Sequence, residues 1–535
     1  MLIKRILVVL SCVALFVSCA SVKFGGQRAR KAYSPYDFGL SKAKTGTERY
    51  EVLVKTHKAA VAAGVDVDYS GIKSLDIEIP EKFVTIPLTR NNDFKDCVIT
   101  VTNRQKTVCL FTTIRKGKTV SVWKTQIDAG NFCSIPELAT GDNLLIIEDE
   151  KPWVLNRSGH SYGHVRKDIL LIKNGQSVNM VTMPYNNDYS SPKCVFIPVN
   201  ESPLVVKNLT VRRTEECTSI TRLFNISGFN NVQLENIQVT TPENELKGDA
   251  VISIRDCTNV TLSDSNIQGT YSQIDASGYG ISMNNVWNFR AIRLLGKGNW
   301  GVFGTNNINN ALIEDSRINR FDIHCYGRNV AFKNVEFFDR YNQFSSVFGT
   351  ISFDRCVFTN FIPVLNEGSY NSYVAYDVVM RDCVFNATPN KNFIFRISGL
   401  NEKENERLEL KEKCLPNVMI KNLTVYLKDR ANSFMLFYHK TDSKQLPVLK
   451  YLSIIDIDGL TVVEDSETPF KGLTLSNLEV KTTNPVDCIL KNVEVWCERK
   501  VVKSLTGIDQ PAVLKANMPL KGGLVKLQNA SILRQ

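Results

Sequence analysis

Asn231-Val-Gln-Leu-Glu-Asn-Ile-Gln-Val239 and Asn259-Val-Thr-Leu-Ser-Asp-Ser-Asn-Ile267 carry one pattern, Asn-apolar-x-apolar-x-Asn/Asp-x-x-apolar. It returns as Asn310-Ala-Leu-Ile-Glu-Asp-Ser-Arg-Ile318 and Asn329-Val-Ala-Phe-Lys-Asn-Val-Glu-Phe337, with further starts read at Asn288, Asp377, Asn417 and Gly472. The tightest spacings are 22 and 19 residues, from Asn288 to Asn310 to Asn329. Within each copy the apolar residues alternate, which is the periodicity of a strand. Each short strand ends in Asn, Asp or Gly, residues that tolerate turn conformations. A rung of about twenty residues cannot bury its own apolar face and must stack on copies of itself. The Leu-x-x-Leu-x-Leu frame of leucine-rich repeats is absent, as are the Trp-Asp and Gly-His marks of a propeller. The expectation is an all-β solenoid of stacked parallel strands, coiled right-handed by the crossover preference.

Ahead of the repeats, Tyr36-Asp-Phe-Gly39 precedes a helix-forming stretch, Glu48–Ala63, with Gly64 suited to its C-terminal stop. With these residues in view the chain resembles the pectate-lyase-like superfamily of right-handed parallel β-helices. That resemblance implies that the helix caps the open N-terminal end, where a bare rung would be an aggregation edge. It covers most of residues 30–400. A charged stretch, Asn401 to Lys413, then interrupts the repeat, and strands return at Val418, Leu452, Leu473 and Ile489. The expected organisation is a leader over 1–18, a linker over 19–35, and one β-helix domain over 36–535 with irregular turns after about 400.

Lys4-Arg5, the apolar run Ile6–Val17 and Ser18-Cys19 read as an export signal ending in a lipobox, with Cys19 lipidated. The run is too short to span a bilayer. An outer-membrane lipoprotein, on the periplasmic face or the cell surface, is the expected location. The formal net charge is +11, or +9 once residues 1–18 are removed, which biases the protein towards acidic partners. No zinc spacing, RNP motif or long basic run favours nucleic acid, so an acidic polysaccharide is the expected partner of a monomeric solenoid. Of fourteen cysteines, Cys257, Cys356 and Cys383 recur in similar strand contexts. They are expected inside the coil as free thiols, small apolar groups stacked rung on rung.

The least ordinary strand is Phe321-Asp-Ile-His-Cys-Tyr-Gly327. Strict alternation puts Ile323 and Cys325 inward and Asp322, His324 and Tyr326 outward. Counting back from the repeat Asn places His324 beside Thr305 and near Ser345, Asp322 beside Phe303, and Tyr326 beside Asn307. Trp300, Arg320 and Arg340-Tyr341 sit at similar places in three successive rungs and form an expected rim. Aromatic faces suit sugar rings and arginine grips carboxylates. Arg320-Phe-Asp-Ile-His324 also resembles a run in some phage-associated and bacterial β-helix proteins. The bland alternative is that Asp322 and His324 satisfy each other, with Arg320 as their ion-pair partner. A second candidate is Arg157-Ser-Gly-His-Ser-Tyr-Gly-His-Val-Arg166, a loop carrying His160 and His164. His57 and His439 are read as surface residues.

Three functions stay open. A polysaccharide lyase acting on a uronate-containing polymer (a glycosaminoglycan, a pectic chain or alginate) would use Arg320, with Arg340, on the carboxylate. His324 would be the base, oriented by Asp322, and Tyr326 or Tyr341 the acid. A glycoside hydrolase would need two carboxylates, Asp322 with Asp315 or Asp339. A non-catalytic β-helix would bind glycan alone. The Asn-Thr-Asp, Asp-Asp, Gly-His-Gly and Arg-Ile-Lys set of pectinase-type hydrolases is absent. No cofactor or metal is expected; Ca2+ would be compatible with the resemblance, but no aspartate cluster demands it.

Overall fold

The Asn and Asp residues of the repeat mark corners. In the computed structural model Asn231, Asn259, Asn288, Asn310 and Asn329 all have φ between 52° and 61°, a left-handed conformation that asparagine tolerates better than most residues. Five residues on, a second column runs through Asn208, Asn236, Asp264, Arg293, Asp315, Asn334, Arg355, Asp382, Asn422, Gly459 and Asn492, again all at positive φ. Spacing along it falls to 22, 19 and 21 residues between Arg293 and Arg355 and reaches 40 between Asp382 and Asn422. Stacked amides tie the columns together: Asn288 donates to Asn259 at 2.5 Å, Asn329 to Asn310 at 3.1 Å and Asn334 to Asp315 at 2.7 Å.

Between corners the strands pair in parallel, each with the strand one rung on, in a 26-stranded sheet wound into a right-handed β-helix. The structure describes most of residues 31–534. The main stretches outside the description are 155–163, 241–249, 269–277, 366–374, 399–415, 441–447, 465–471, 498–513 and 516–524, and most side chains beyond 463. The leader with Cys19, the loop residue His160 and the side chain of His439 therefore lie outside the described residues. Asp377 and Asn417 pair as expected, whereas Gly472 pairs with Ser433 on another face and does not start a copy of the repeat.

Inward residues stack as ladders. Phe332 lies 5.1 Å from Phe353 at 7°, and Phe337 lies 4.9 Å from Phe358 at 3°. Cys257, Cys356 and Cys383 belong to this core as buried free thiols. The helix Gly46–Ala63 closes the N-terminal end, begun by a capping box between Thr45 and Glu48 and stopped at Gly64, φ 67°. His57 is not on its surface. It is fully buried between the Pro87 carbonyl at 2.9 Å and the Tyr69 hydroxyl at 2.8 Å, and burial pushes it down to about 4. Its spacing of four from Leu53 and three from Ala60, both fully buried, puts it on the helix face that packs on the first rung.

The coil is not continuous from residue 36 onwards. Between Val108–Ile114 and Leu204–Arg213 the chain leaves it to form a five-stranded antiparallel sheet in the order Gln176–Ser177, His164–Lys173, Asp142–Val154, Pro192–Val199, Lys118–Val120. The expected single solenoid is corrected here. The two central strands of the inserted sheet do not alternate: Leu144-Leu145-Ile146-Ile147 and Ile169-Leu170-Leu171-Ile172 are continuous apolar runs, because the sheet is covered on both faces. The insertion packs back on the coil through a cluster of Leu145, Ile147, Leu170 and Ile172 with Cys325 and Tyr326.

Candidate functional site

The strand Phe321–Phe337 holds one residue more than its neighbour requires. Ile323 pairs with Thr305 and Cys325 with Asn306, so His324 is the extra residue of a β-bulge. Strict alternation fails at this point. Ile323 stays in the core, but Cys325 faces the inserted sheet instead of the coil interior. Asp322 consequently pairs with Gly304 and not Phe303, while Tyr326 remains level with Asn307.

The bulge aims His324 at a residue the sequence reading missed. The Tyr279 hydroxyl lies 2.7 Å from Asp322 Oδ2 and 2.8 Å from His324 Nε2, and His324 Nε2 lies 3.1 Å from the same carboxylate oxygen. Tyr279 reaches them because residue 304 is glycine. A Cβ there would stand 2.7 Å from the tyrosine ring. That glycine, in Gly301-Val-Phe-Gly304, was the available signal, readable only once a ring was known to cross it.

Asp322 is fully buried. Burial alone would raise its carboxyl, but the Arg320 guanidinium, then His324, with hydrogen bonds from His324 and Tyr279, outweigh it and hold it at about 2. An ionised carboxylate only accepts hydrogen bonds. Tyr279 therefore donates to it, and a proton on His324 Nε2 points at the same carboxylate oxygen.

Arg320 donates to Asp322 at 2.6 Å and to Gln343 at 3.0 Å. It is itself fully buried, its guanidinium 4.3 Å from the Trp300 ring and 4.7 Å from that of Tyr341. It therefore does not grip substrate: its charge is spent on Asp322. Trp300 and Tyr341 are half-buried clamps on Arg320, packed edge to face at 6.3 Å. Thr305 and Ser345 are fully buried; the Thr305 hydroxyl donates to the Asp322 carbonyl at 2.9 Å. Neither can contact a ligand. Tyr326 is buried too, its hydroxyl donating to the His164 carbonyl at 3.0 Å. Arg340 is half-buried and outside the cleft lining. Asp315 belongs to another groove, with Arg293, Arg317 and Arg355, and Asp339 is exposed on a turn.

The cleft itself is about 360 Å³. Tyr279, Ser282 and Asn284 line it from one rung, Gly304, Asn306 and Asn307 from the next, His324 to Tyr326 from a third, and His164, Val165 and Lys167 from the inserted sheet. Both histidine-bearing segments singled out in the sequence thus border one cleft. No Asp or Glu is among its described lining residues. Lys167 supplies a positive charge at the wall, paired with Glu148 at 3.0 Å. Among the described residues no group of three or more His, Cys, Asp or Glu is placed to hold a metal ion.

No family model and no curated protein matches the chain. Solved structures do. The tailspike gp49 of Pseudomonas phage LKA1 is similar over 92% of this chain and 84% of that one, at 12% identity and a TM-score of 0.54. The tailspike gp61 of Pseudomonas phage phi297 aligns over 87% and 81%, at 11% identity and 0.48. The gp54 tailspike of Acinetobacter baumannii bacteriophage AP22, solved with a capsular saccharide, aligns over 87% and 79%, at 10% and 0.45. At these identities the likeness to gp49 is one of fold.

Proposed function

We propose that the cleft binds an acidic polysaccharide and cleaves it by β-elimination. The observation that carries this reading is a tyrosine hydroxyl and a histidine in contact at 2.8 Å, in a polar cleft with no carboxylate in its described lining. A glycoside hydrolase needs two carboxylic groups flanking the bond, and Asp322 is buried and committed to Arg320, Tyr279 and His324.

Elimination needs a base, an acid and a partner for the uronate carboxylate. The Asn284 and Asn306 amides and the Lys167 ammonium are the donors of the cleft suited to that carboxylate. His324, through Nδ1, takes the C5 proton. The C4–O bond breaks as the C4–C5 double bond forms, and the Tyr279 hydroxyl gives its proton to the leaving oxygen. The imidazolium then releases the C5 proton from Nδ1 to solvent and the tyrosinate takes a proton back from water, so that His324 keeps its Nε2 proton and Tyr279 regains its hydroxyl. Asp322 stays ionised throughout and holds the imidazole in its tautomer, a positioning role. Tyr279 replaces Tyr326 and Tyr341 as the proposed acid, and Lys167 with the two amides replaces Arg320 and Arg340.

The test is a panel of acidic polysaccharides read by the ultraviolet absorbance of the unsaturated uronide. Wild-type protein should generate that absorbance on at least one member. His324→Ala and Tyr279→Phe should each lower the rate by about 10² to 10⁴. New reducing ends without the absorbance would mean hydrolysis, and binding without either product a non-catalytic solenoid. Both outcomes overturn the elimination reading.

A further inference from the structure

A second cleft, of about 520 Å³, lies further along the coil, bordered by Asn390, Asn392, Phe393, Arg396, Met435 and Tyr438. It sits on the sheet that carries the first. The register runs Asp322 to Gln343, Gln343 to Val364, Val364 to Arg396 and Arg396 to Tyr438. Four steps at ~4.8 Å per strand put the two sites about 19 Å apart along the axis. A series of rings and guanidinium groups joins them. Arg320 stacks between Trp300 and Tyr341, and Arg396 approaches the far side of the series, 5.8 Å from the Tyr341 ring. Phe393 and Tyr438 then stack 4.7 Å apart at 23°.

The chemistry of the second cleft is that of a sugar site. Aromatic faces accept the C–H faces of pyranose rings, amides and a tyrosine hydroxyl exchange hydrogen bonds with hydroxyl groups, and no carboxylate borders it among the described residues. The Arg396 Nε is buried with no hydrogen-bond partner, a donor left for an anionic or hydroxylated ligand. We propose that this cleft is a distal subsite for the same polysaccharide chain whose bond lies in the Tyr279–His324 cleft. The inference rests on the proposed function and deepens it. The substrate is a polymer lying along the coil axis, long enough to fill both clefts, and the protein cleaves within chains.

Chain-length dependence tests it. The Michaelis constants of wild type and Tyr438→Ala are compared on an intact acidic polymer and on fragments too short to span both clefts. The substitution should raise the polymer-to-fragment ratio of Michaelis constants by about tenfold. Arg396→Gln, at a half-buried position, repeats the test if Tyr438→Ala unfolds at lower temperature. A ratio unchanged in both variants overturns the distal subsite and leaves the proposed function standing. Wild-type protein that neither binds nor cleaves any acidic polysaccharide removes the proposed function, and this inference with it.

Discussion

At the scale of the residue, Arg320 and Asp322 decide the site without touching substrate. Arg320→Ala strands a buried carboxylate and should cost about 3–5 kcal/mol of stability, measured by denaturant unfolding. Removing both side chains should recover much of that loss, a coupling that a double-mutant cycle reads. The pH dependence follows from the same pair. The folded carboxyl is depressed to about 2, below the roughly 3.9 of an unfolded aspartate. Its contribution, about 2–3 kcal/mol, is complete above pH ~4 and fades as pH falls towards ~2. In Arg320→Ala burial prevails, the carboxyl titrates higher, and acid unfolding should begin at a higher pH than in wild type. How much of this was legible is itself a residue-scale matter. Asp322, His324 and Arg320 stood out as types, and even the bland reading of them as mutual partners describes their contacts. What could not be read was one inserted residue. The bulge at His324 shifts the pairing by a single step and turns Cys325 towards the insertion, and Tyr279 comes from 45 residues away with no motif around it.

At the scale of the element, Tyr326 joins coil to insertion. It occupies a corner filled by Asp256, Asn285 and Asn307 in the preceding rungs, and adopts their left-handed conformation at φ 60°. A bulky residue there costs about 1–2 kcal/mol, offset by its burial against the inserted sheet and its bond to the His164 carbonyl. Tyr326→Phe should lose only that hydrogen bond, about 1 kcal/mol. Tyr326→Asn would suit the corner but release the insertion. Amides of the strand His164–Lys173 should then exchange faster while those of Phe332 and Phe353 keep their protection, and activity should fall with the wall of the cleft. Equal exchange throughout would mean that the two parts unfold as one. The repeat was readable because its corners need Asn, Asp or Gly. The insertion was not, because its continuous apolar runs fit any strand buried on both faces, and only their antiparallel partners distinguish them.

At the scale of the molecule, the coil is a stack whose rungs contact mainly their neighbours, so protection should grade along it. Cys257, Cys356 and Cys383 report on three levels of the core. In native protein they should resist thiol labelling and react only on unfolding; rapid native labelling would contradict their placement. The expectation at Cys19 is tested by Cys19→Ala, which should leave the membrane fraction; unchanged association would refute lipidation. The contact between Tyr326 and His164 spans 162 residues of chain. At a synthesis rate of about 5–20 residues per second, the inserted sheet would emerge roughly ten to thirty seconds before the surface it docks on. During that interval the part of the cluster that Cys325 and Tyr326 cover is bare, which makes the nascent chain, and not the finished protein, the form most in need of a chaperone.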